Sequence, residues 1–119
     1  MFVYGTLMSG LYNYKKINKY VKSIEKATIK GEMYSIRGAF PAVIEGSNVI
    51  YGELLNIHKD GLIIIDSIEY PAGYRRVVKE VNKQNNKRIL AWCYLYLRNV
   101  EYFNKIKSGN WRKYLERRK

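Results

Sequence analysis

Residues 74–81 and 88–97 are both rich in β-branched and aromatic side chains, and the polar stretch Gln84-Asn85-Asn86-Lys87 joins them. Such runs favour extended backbone, and a short polar connection folds two of them back on each other as a hairpin. The chain therefore has to be built around antiparallel strands. Other strand signals agree. Phe2-Val3-Tyr4 is a short β-branched and aromatic run. From Ala27, the residues Ile29, Gly31, Met33 and Ser35 alternate with Thr28, Lys30, Glu32 and Tyr34, which is the two-residue period of a strand with one face buried. Val43-Ile44 and Val49-Ile50-Tyr51 flank Glu45-Gly46-Ser47-Asn48, a composition that predicts a second hairpin. The strand continuing through residues 52–57 echoes residues 31–36, as two strands of one sheet would.

Between these strands two stretches carry helical spacing. Tyr14, Ile17, Val21 and Ile24 recur on one face, with Lys15, Lys16, Lys19, Lys22 and Lys26 elsewhere, and predict a short amphipathic helix. Asp60 reads as an N-cap for a second helix whose Leu62, Ile65 and Ile68 share a face. Pro71 disfavours helical geometry at Tyr70, so this helix should stop at about Glu69. Residues 37–42, with Gly38 and Pro41, read as a loop, and the aromatic residue before Pro41 leaves a cis bond open.

At 119 residues one domain is expected. The hydrophobic fraction of 47% excludes a disordered chain, and no apolar run approaches the roughly 20 residues that cross a bilayer. The start of the sequence does not resemble a signal peptide. Cys93 is the only cysteine and His58 the only histidine, so a disulfide framework and a multi-histidine metal site have no basis. Cys93 itself sits among large side chains, where an inert buried thiol is expected. A soluble, cytoplasmic protein without metal or cofactor is the expectation.

The net charge of +12 raises nucleic-acid binding. However, residues 15–30 hold six lysines against Glu25, residues 105–119 hold seven basic groups against Glu116, and the span 31–104 has nine basic and eight acidic residues. The excess is confined to two segments. The tyrosines fall mostly in apolar positions of strands and helices and are not interleaved with the basic residues as in an RNA-binding module. Trp111, in the basic tail, reads as an anchor that packs the C-terminal segment on the body.

Two features have the makings of a site. Phe2-Val3-Tyr4 runs into Gly5-Thr6-Leu7, and a tight turn there exposes successive backbone N–H groups able to cradle an anion. Gly5 can take a positive φ and lets a ligand approach the backbone closely. Glu69 lies at a helix C-terminus, where the macrodipole disfavours negative charge; burial raises the acid further, towards the range of a base working near neutral pH. The plainer readings are an ordinary strand and glycine turn, and a solvated glutamate paired with Arg75 or Arg76.

Taken in order, Tyr4-Gly5-Thr6-Leu7, Pro41-Ala42, Val49-Ile50-Tyr51-Gly52-Glu53-Leu54, Ile65-Asp66-Ser67-Ile68-Glu69, Tyr74-Arg75-Arg76, Ala91-Trp92-Cys93-Tyr94 and Ser108-Gly109-Asn110-Trp111 resemble the gamma-glutamylcyclotransferase-like family over essentially the whole chain. The resemblance implies an α+β fold, a small mixed β-barrel or roll with a few short helices packed around it. It implies that Tyr4, Gly5, Thr6 and Leu7 hold a glutamyl group and that Glu69, three residues after Asp66, is the catalytic acid/base. The implied reaction releases an amine or amino acid from a γ-glutamyl compound with formation of 5-oxoproline. One departure stands out: Tyr70-Pro71 follows the glutamate where relatives often carry glycine, which alters the pocket mouth and bears on substrate choice. A non-catalytic small-molecule binder of the same fold and a basic nucleic-acid-binding protein are the alternatives.

Overall fold

A computed structural model describes residues 1–117; Arg118 and Lys119, the last cations of the basic tail, lie outside them. Six strands and two helices follow one another as β1 (Phe2–Val3), β2 (Val21–Ile36), β3 (Phe40–Ile57), α1 (Lys59–Glu69), β4 (Tyr74–Lys83), β5 (Arg88–Tyr96), β6 (Asn104–Lys105) and α2 (Trp111–Arg117). The strands form one antiparallel sheet in the order β1-β3-β2-β4-β5, with β6 against β2. The class is α+β, as expected. The sheet rolls without closing. β2 and β4 meet only at Ala27↔Lys83 and Thr28↔Asn82, and the two edge strands are joined by a side chain, Tyr4 donating its hydroxyl to the Tyr94 carbonyl at 2.7 Å. Phe2, Ile29, Met33, Val43, Ile50, Leu55, Val81 and Cys93 fill the interior, with Ile65 from α1 and Trp111 from α2. Among the described residues no helix is long and apolar enough to cross a membrane.

The β4–β5 hairpin lies where the sequence puts it, paired from Tyr74↔Tyr96 to Asn82↔Arg88. Alternating burial from Ala27 to Ser35 in β2 also agrees. Several expectations are corrected. The helix over residues 14–24 is absent: two 3-10 turns, Tyr14–Lys16 and Asn18–Tyr20, lead directly into β2 at Val21. A helix there would set Lys15, Lys19, Lys22 and Lys26 three or four residues apart on one side, where like charges repel. As a strand, this segment pairs Val21 with Ile57 and Ile24 with Leu55. The hairpin at residues 45–48 is also absent. Both of its flanks pair with β2, whose register steps from Glu32↔Ile44 to Gly31↔Asn48, so Glu45, Gly46 and Ser47 bulge out of a continuous β3. The real turn is Arg37-Gly38-Ala39, with φ of 54° and 74° at its first two residues, and Pro41 belongs to β3. No peptide bond between described residues is cis.

For α1 the corrections are at its ends. His58, not Asp60, is the N-cap, and its Nδ1 accepts from the Asp60 N–H at 3.1 Å. Tyr70 keeps helical dihedrals (φ −59°, ψ −46°) although the helix ends at Glu69. Proline disfavours but does not forbid that geometry in its predecessor, and the Tyr70 N–H still closes on the Asp66 carbonyl at 3.0 Å.

Candidate active site

A cavity of about 430 Å³ opens between the segment after β1 and the C-terminal end of α1. Tyr4, Gly5, Thr6 and Leu7 line one side and Glu69 another, so the two groups singled out in the sequence border one space. The remaining wall is largely aromatic, with Tyr74, Tyr94 and Tyr96 from β4 and β5.

Local hydrogen bonds shape the opening loop. The Met8 N–H closes on the Gly5 carbonyl at 3.0 Å and the Asn13 N–H on the Thr6 carbonyl at 2.9 Å, while Asn13 Nδ2 donates to Thr6 Oγ1 at 2.9 Å. No described residue accepts from the N–H of Gly5, Thr6 or Leu7. Three successive donors beside a cavity suit a carboxylate or a developing oxyanion. Gly5 is not in the left-handed region. Glycine is needed because a Cβ would stand 2.6 Å from Pro41 Cγ. Gly5→Ala must push the loop off β3, and we expect a loss of about 1–3 kcal/mol together with weaker ligand binding. Urea unfolding and a ligand titration check both; a variant as stable and as tight as wild type would contradict the contact.

The far end of the loop is tied down by a group that sequence reasoning did not single out. Glu53 of β3 is buried, and its carboxylate accepts from the Ser9 N–H at 2.6 Å, from Ser9 Oγ at 2.7 Å and from Arg112 Nη2 at 3.1 Å. Arg112 also donates to the Ser9 carbonyl. A buried carboxylate is tolerated when its lone pairs are satisfied in this way. The only sequence signal was the place of Glu53 inside the Tyr51-Gly52-Glu53-Leu54 motif.

Glu69 contrasts with Glu53. Its half-buried carboxylate takes no hydrogen bond and no ion pair from a described residue, and burial raises its pKa to about 7. Of the two cations offered by the plainer reading, Arg76 is engaged elsewhere: it reaches Asp66 at 3.3 Å and lies over the Trp92 ring at 4.4 Å. Tyr94 donates its hydroxyl to Asp66 as well. Asp66 therefore collects the polar partners of this corner, and Glu69, one turn further on, is left with a desolvated carboxyl. Burial, with the Glu69 charge as a lesser cause, raises the hydroxyls of Tyr4 and Tyr74 far above their usual values, so they stay neutral. Tyr74 donates to the Pro41 carbonyl at 2.6 Å, leaving Glu69 as the group of this wall that can exchange a proton near neutral pH.

Cys93 is buried, as expected, and burial pushes its thiol up to about 12. Among the described residues no three His, Cys, Asp or Glu side chains gather into a metal-binding group. The mouth of the cavity is formed by Tyr12, Lys16, Phe40 and Arg98, none of which the sequence reading connected with the site. They come from three separate segments, Tyr12 and Lys16 from the β1–β2 connection, Phe40 from β3 and Arg98 from the chain after β5, and the fold brings these together.

The family model for gamma-glutamyl cyclotransferase, AIG2-like, matches residues 1–113. MJ1514 of Methanocaldococcus jannaschii, which bears gamma-glutamylcyclotransferase as a provisional name, is 30% identical over 96% of both chains. A gamma-L-glutamyl-butirosin B gamma-glutamyl cyclotransferase from Niallia circulans is 26% identical over 96% of this chain and 76% of its own. Among solved structures, YkqA from Bacillus subtilis superposes on the whole chain with a TM-score of 0.78 at 25% identity, and the match spans 42% of YkqA.

Proposed function

This chain belongs to the gamma-glutamyl cyclotransferase, AIG2-like family, and we propose that it is a cyclotransferase that releases an amine or amino acid from a γ-glutamyl compound as 5-oxoproline forms. The observation that carries the proposal is the unpaired, desolvated Glu69 carboxyl, raised to about 7, across a cavity from the free N–H groups of the opening loop. The chemistry asks for little more. Nucleophile and electrophile belong to one molecule, so holding the glutamyl chain folded supplies much of the acceleration.

In the proposed reaction Glu69 takes a proton from the α-ammonium group of the substrate. The freed nitrogen attacks the γ-carbonyl carbon, a new C–N bond closes the five-membered lactam, and the bond to the leaving nitrogen breaks. Two protons leave the attacking nitrogen in all, and two arrive on the departing one, which leaves as an ammonium ion. Glu69 relays them and ends as it began. The Gly5, Thr6 and Leu7 N–H groups hold the substrate α-carboxylate, and the buried Tyr4, its hydroxyl fixed on the Tyr94 carbonyl, anchors the start of the loop that carries them. The tyrosine-lined wall keeps bulk water from the lactam carbonyl.

A mass-spectrometric assay of γ-glutamyl amides for 5-oxoproline tests this directly. Because the base is the ionised carboxylate, kcat/KM should rise with pH and level off above about 7, falling roughly tenfold per pH unit below it. No 5-oxoproline from any γ-glutamyl compound, or a rate flat between about pH 5.5 and 8, would remove Glu69-dependent cyclotransfer.

A further inference from the structure

The cavity is larger than a glutamyl group alone requires, and its mouth differs in character from its interior. Tyr4 and Leu7 are buried in the inner wall, whereas Tyr12 is 66% and Phe40 48% exposed. Lys16 and Arg98 are exposed lining residues as well. Lys16 leaves the 3-10 turn that follows the opening loop, and its Nζ lies 5.3 Å from the centroid of the Tyr12 ring. Arg98 follows β5 and folds across Gly73, where a Cβ would meet its Nε at 2.7 Å; its Nη2 reaches the Pro71 carbonyl at 3.4 Å. That carbonyl belongs to the turn immediately after Glu69. Neither cation has a carboxylate partner among the described residues, and Glu69 is the only acid lining the cavity. At neutral pH the mouth is thus positive, and the single acid inside is half neutral.

We propose that Lys16 and Arg98 select the leaving group, so that the site takes γ-glutamyl compounds whose departing amine carries a carboxylate, amino acids and not simple amines or polyamines. This rests on the cyclotransferase reading above. There, the α-carboxylate of the glutamyl group is met by the N–H groups of the opening loop, which leaves both mouth cations for a second anion. A carboxylate next to the departing nitrogen emerges at the mouth, where the Arg98 fork and the Lys16 ammonium provide charge-assisted hydrogen bonds. A polyamine emerging there meets two like charges and no acid, and is rejected. The exposed Tyr12 and Phe40 rings favour an apolar or aromatic side chain on the amino acid.

The discriminating pair is γ-glutamyl-phenylalanine and γ-glutamyl-phenethylamide, which differ only in the carboxylate at issue. Wild type is expected to prefer the first by about ten- to hundredfold in kcat/KM, mainly through KM, and the preference should shrink with added salt. In Lys16→Gln/Arg98→Gln the ratio should fall to about one to three, and Arg98→Lys should recover part of it. Lys16→Gln alone covers the case in which loss of Arg98 disturbs the turn at Gly73. No preference in wild type, or one that survives both substitutions, overturns the inference while leaving cyclotransfer intact. If neither compound yields 5-oxoproline, the functional reading is judged by the wider assay of γ-glutamyl compounds. Calorimetric binding of the same two compounds then decides the inference by itself: tighter binding of the carboxylate form that is lost in the double variant supports it, and equal binding or none overturns it.

Discussion

Glu69→Gln is expected to lower 5-oxoproline release by about 10²–10⁴-fold while γ-glutamyl ligands still bind, because glutamine keeps the shape of the side chain and removes only its proton exchange. A second consequence runs in the opposite direction. The folded state raises the pKa of Glu69 from 4.5 to about 7, so it holds a proton that the unfolded chain has released. The stability linked to this group is fully present below about pH 4.5 and is lost as pH rises through about 7. Glutamine cannot ionise and does not lose it. Above about pH 7 the variant should be more stable than wild type by about 1–3 kcal/mol, with the difference closing towards pH 4. Urea unfolding of both proteins at several pH values measures this. An inactive variant whose stability tracks wild type at every pH would mean that Glu69 is not desolvated, and a variant with near-normal turnover would mean that it is not the acid/base. Ligand binding with no turnover in wild type as well would favour the non-catalytic alternative.

Trp111→Ala is expected to produce the largest loss of stability, about 3–5 kcal/mol, which is a large share of the roughly 5–15 kcal/mol that holds a domain together. The Trp111 side chain is 1% exposed and stacks on Tyr114 at 5.1 Å, whose hydroxyl reaches Ser35 Oγ at 3.0 Å. The segment before it is bonded to the sheet, Ile106 N–H to the Met33 carbonyl at 2.8 Å and Tyr51 N–H to the Gly109 carbonyl at 2.9 Å. Because Arg112, the next residue, holds Ser9 and Glu53, loosening α2 should also slacken the opening loop and weaken ligand binding beyond the stability loss. Thermal and urea unfolding with a ligand titration on the folded fraction separate the two effects. A loss below about 1 kcal/mol would mean that the tail packs without anchoring.

Charge bears on the nucleic-acid alternative through the same structure. Lys79, Lys83 and Lys105 are each paired with a glutamate, at 3.0, 3.7 and 2.6 Å, while Lys15, Lys16 and Lys19 lie near tyrosine rings. These six described cations are thus spread over several elements, each with a carboxylate or a ring beside it.

What the sequence determined by itself was whatever depends on neighbours along the chain. The β4–β5 hairpin follows from two strand patterns and a polar connection, α1 from one apolar face and the proline after it, and the alternation in β2 from its two-residue period. The ordered motifs, from Tyr4-Gly5-Thr6-Leu7 to Ser108-Gly109-Asn110-Trp111, were enough to point to the family. Tertiary structure decided what depends on distant partners. Residues 21–26 became strand because residues 53–57 offered a ladder that lysines crowded on a helix could not match. Glycine at position 5 answers to Pro41, not to a turn of its own. Glu69 stands unpaired because Arg76 and Tyr94, from two other strands, are held by Asp66. Lys16 and Arg98 reach one cavity mouth from opposite ends of the chain. Local propensity extends over a few residues, whereas burial, charge pairing and the shape of a cavity are sums over whichever segments the fold brings together, and these set the pKa of Glu69 and the sign of charge at its door.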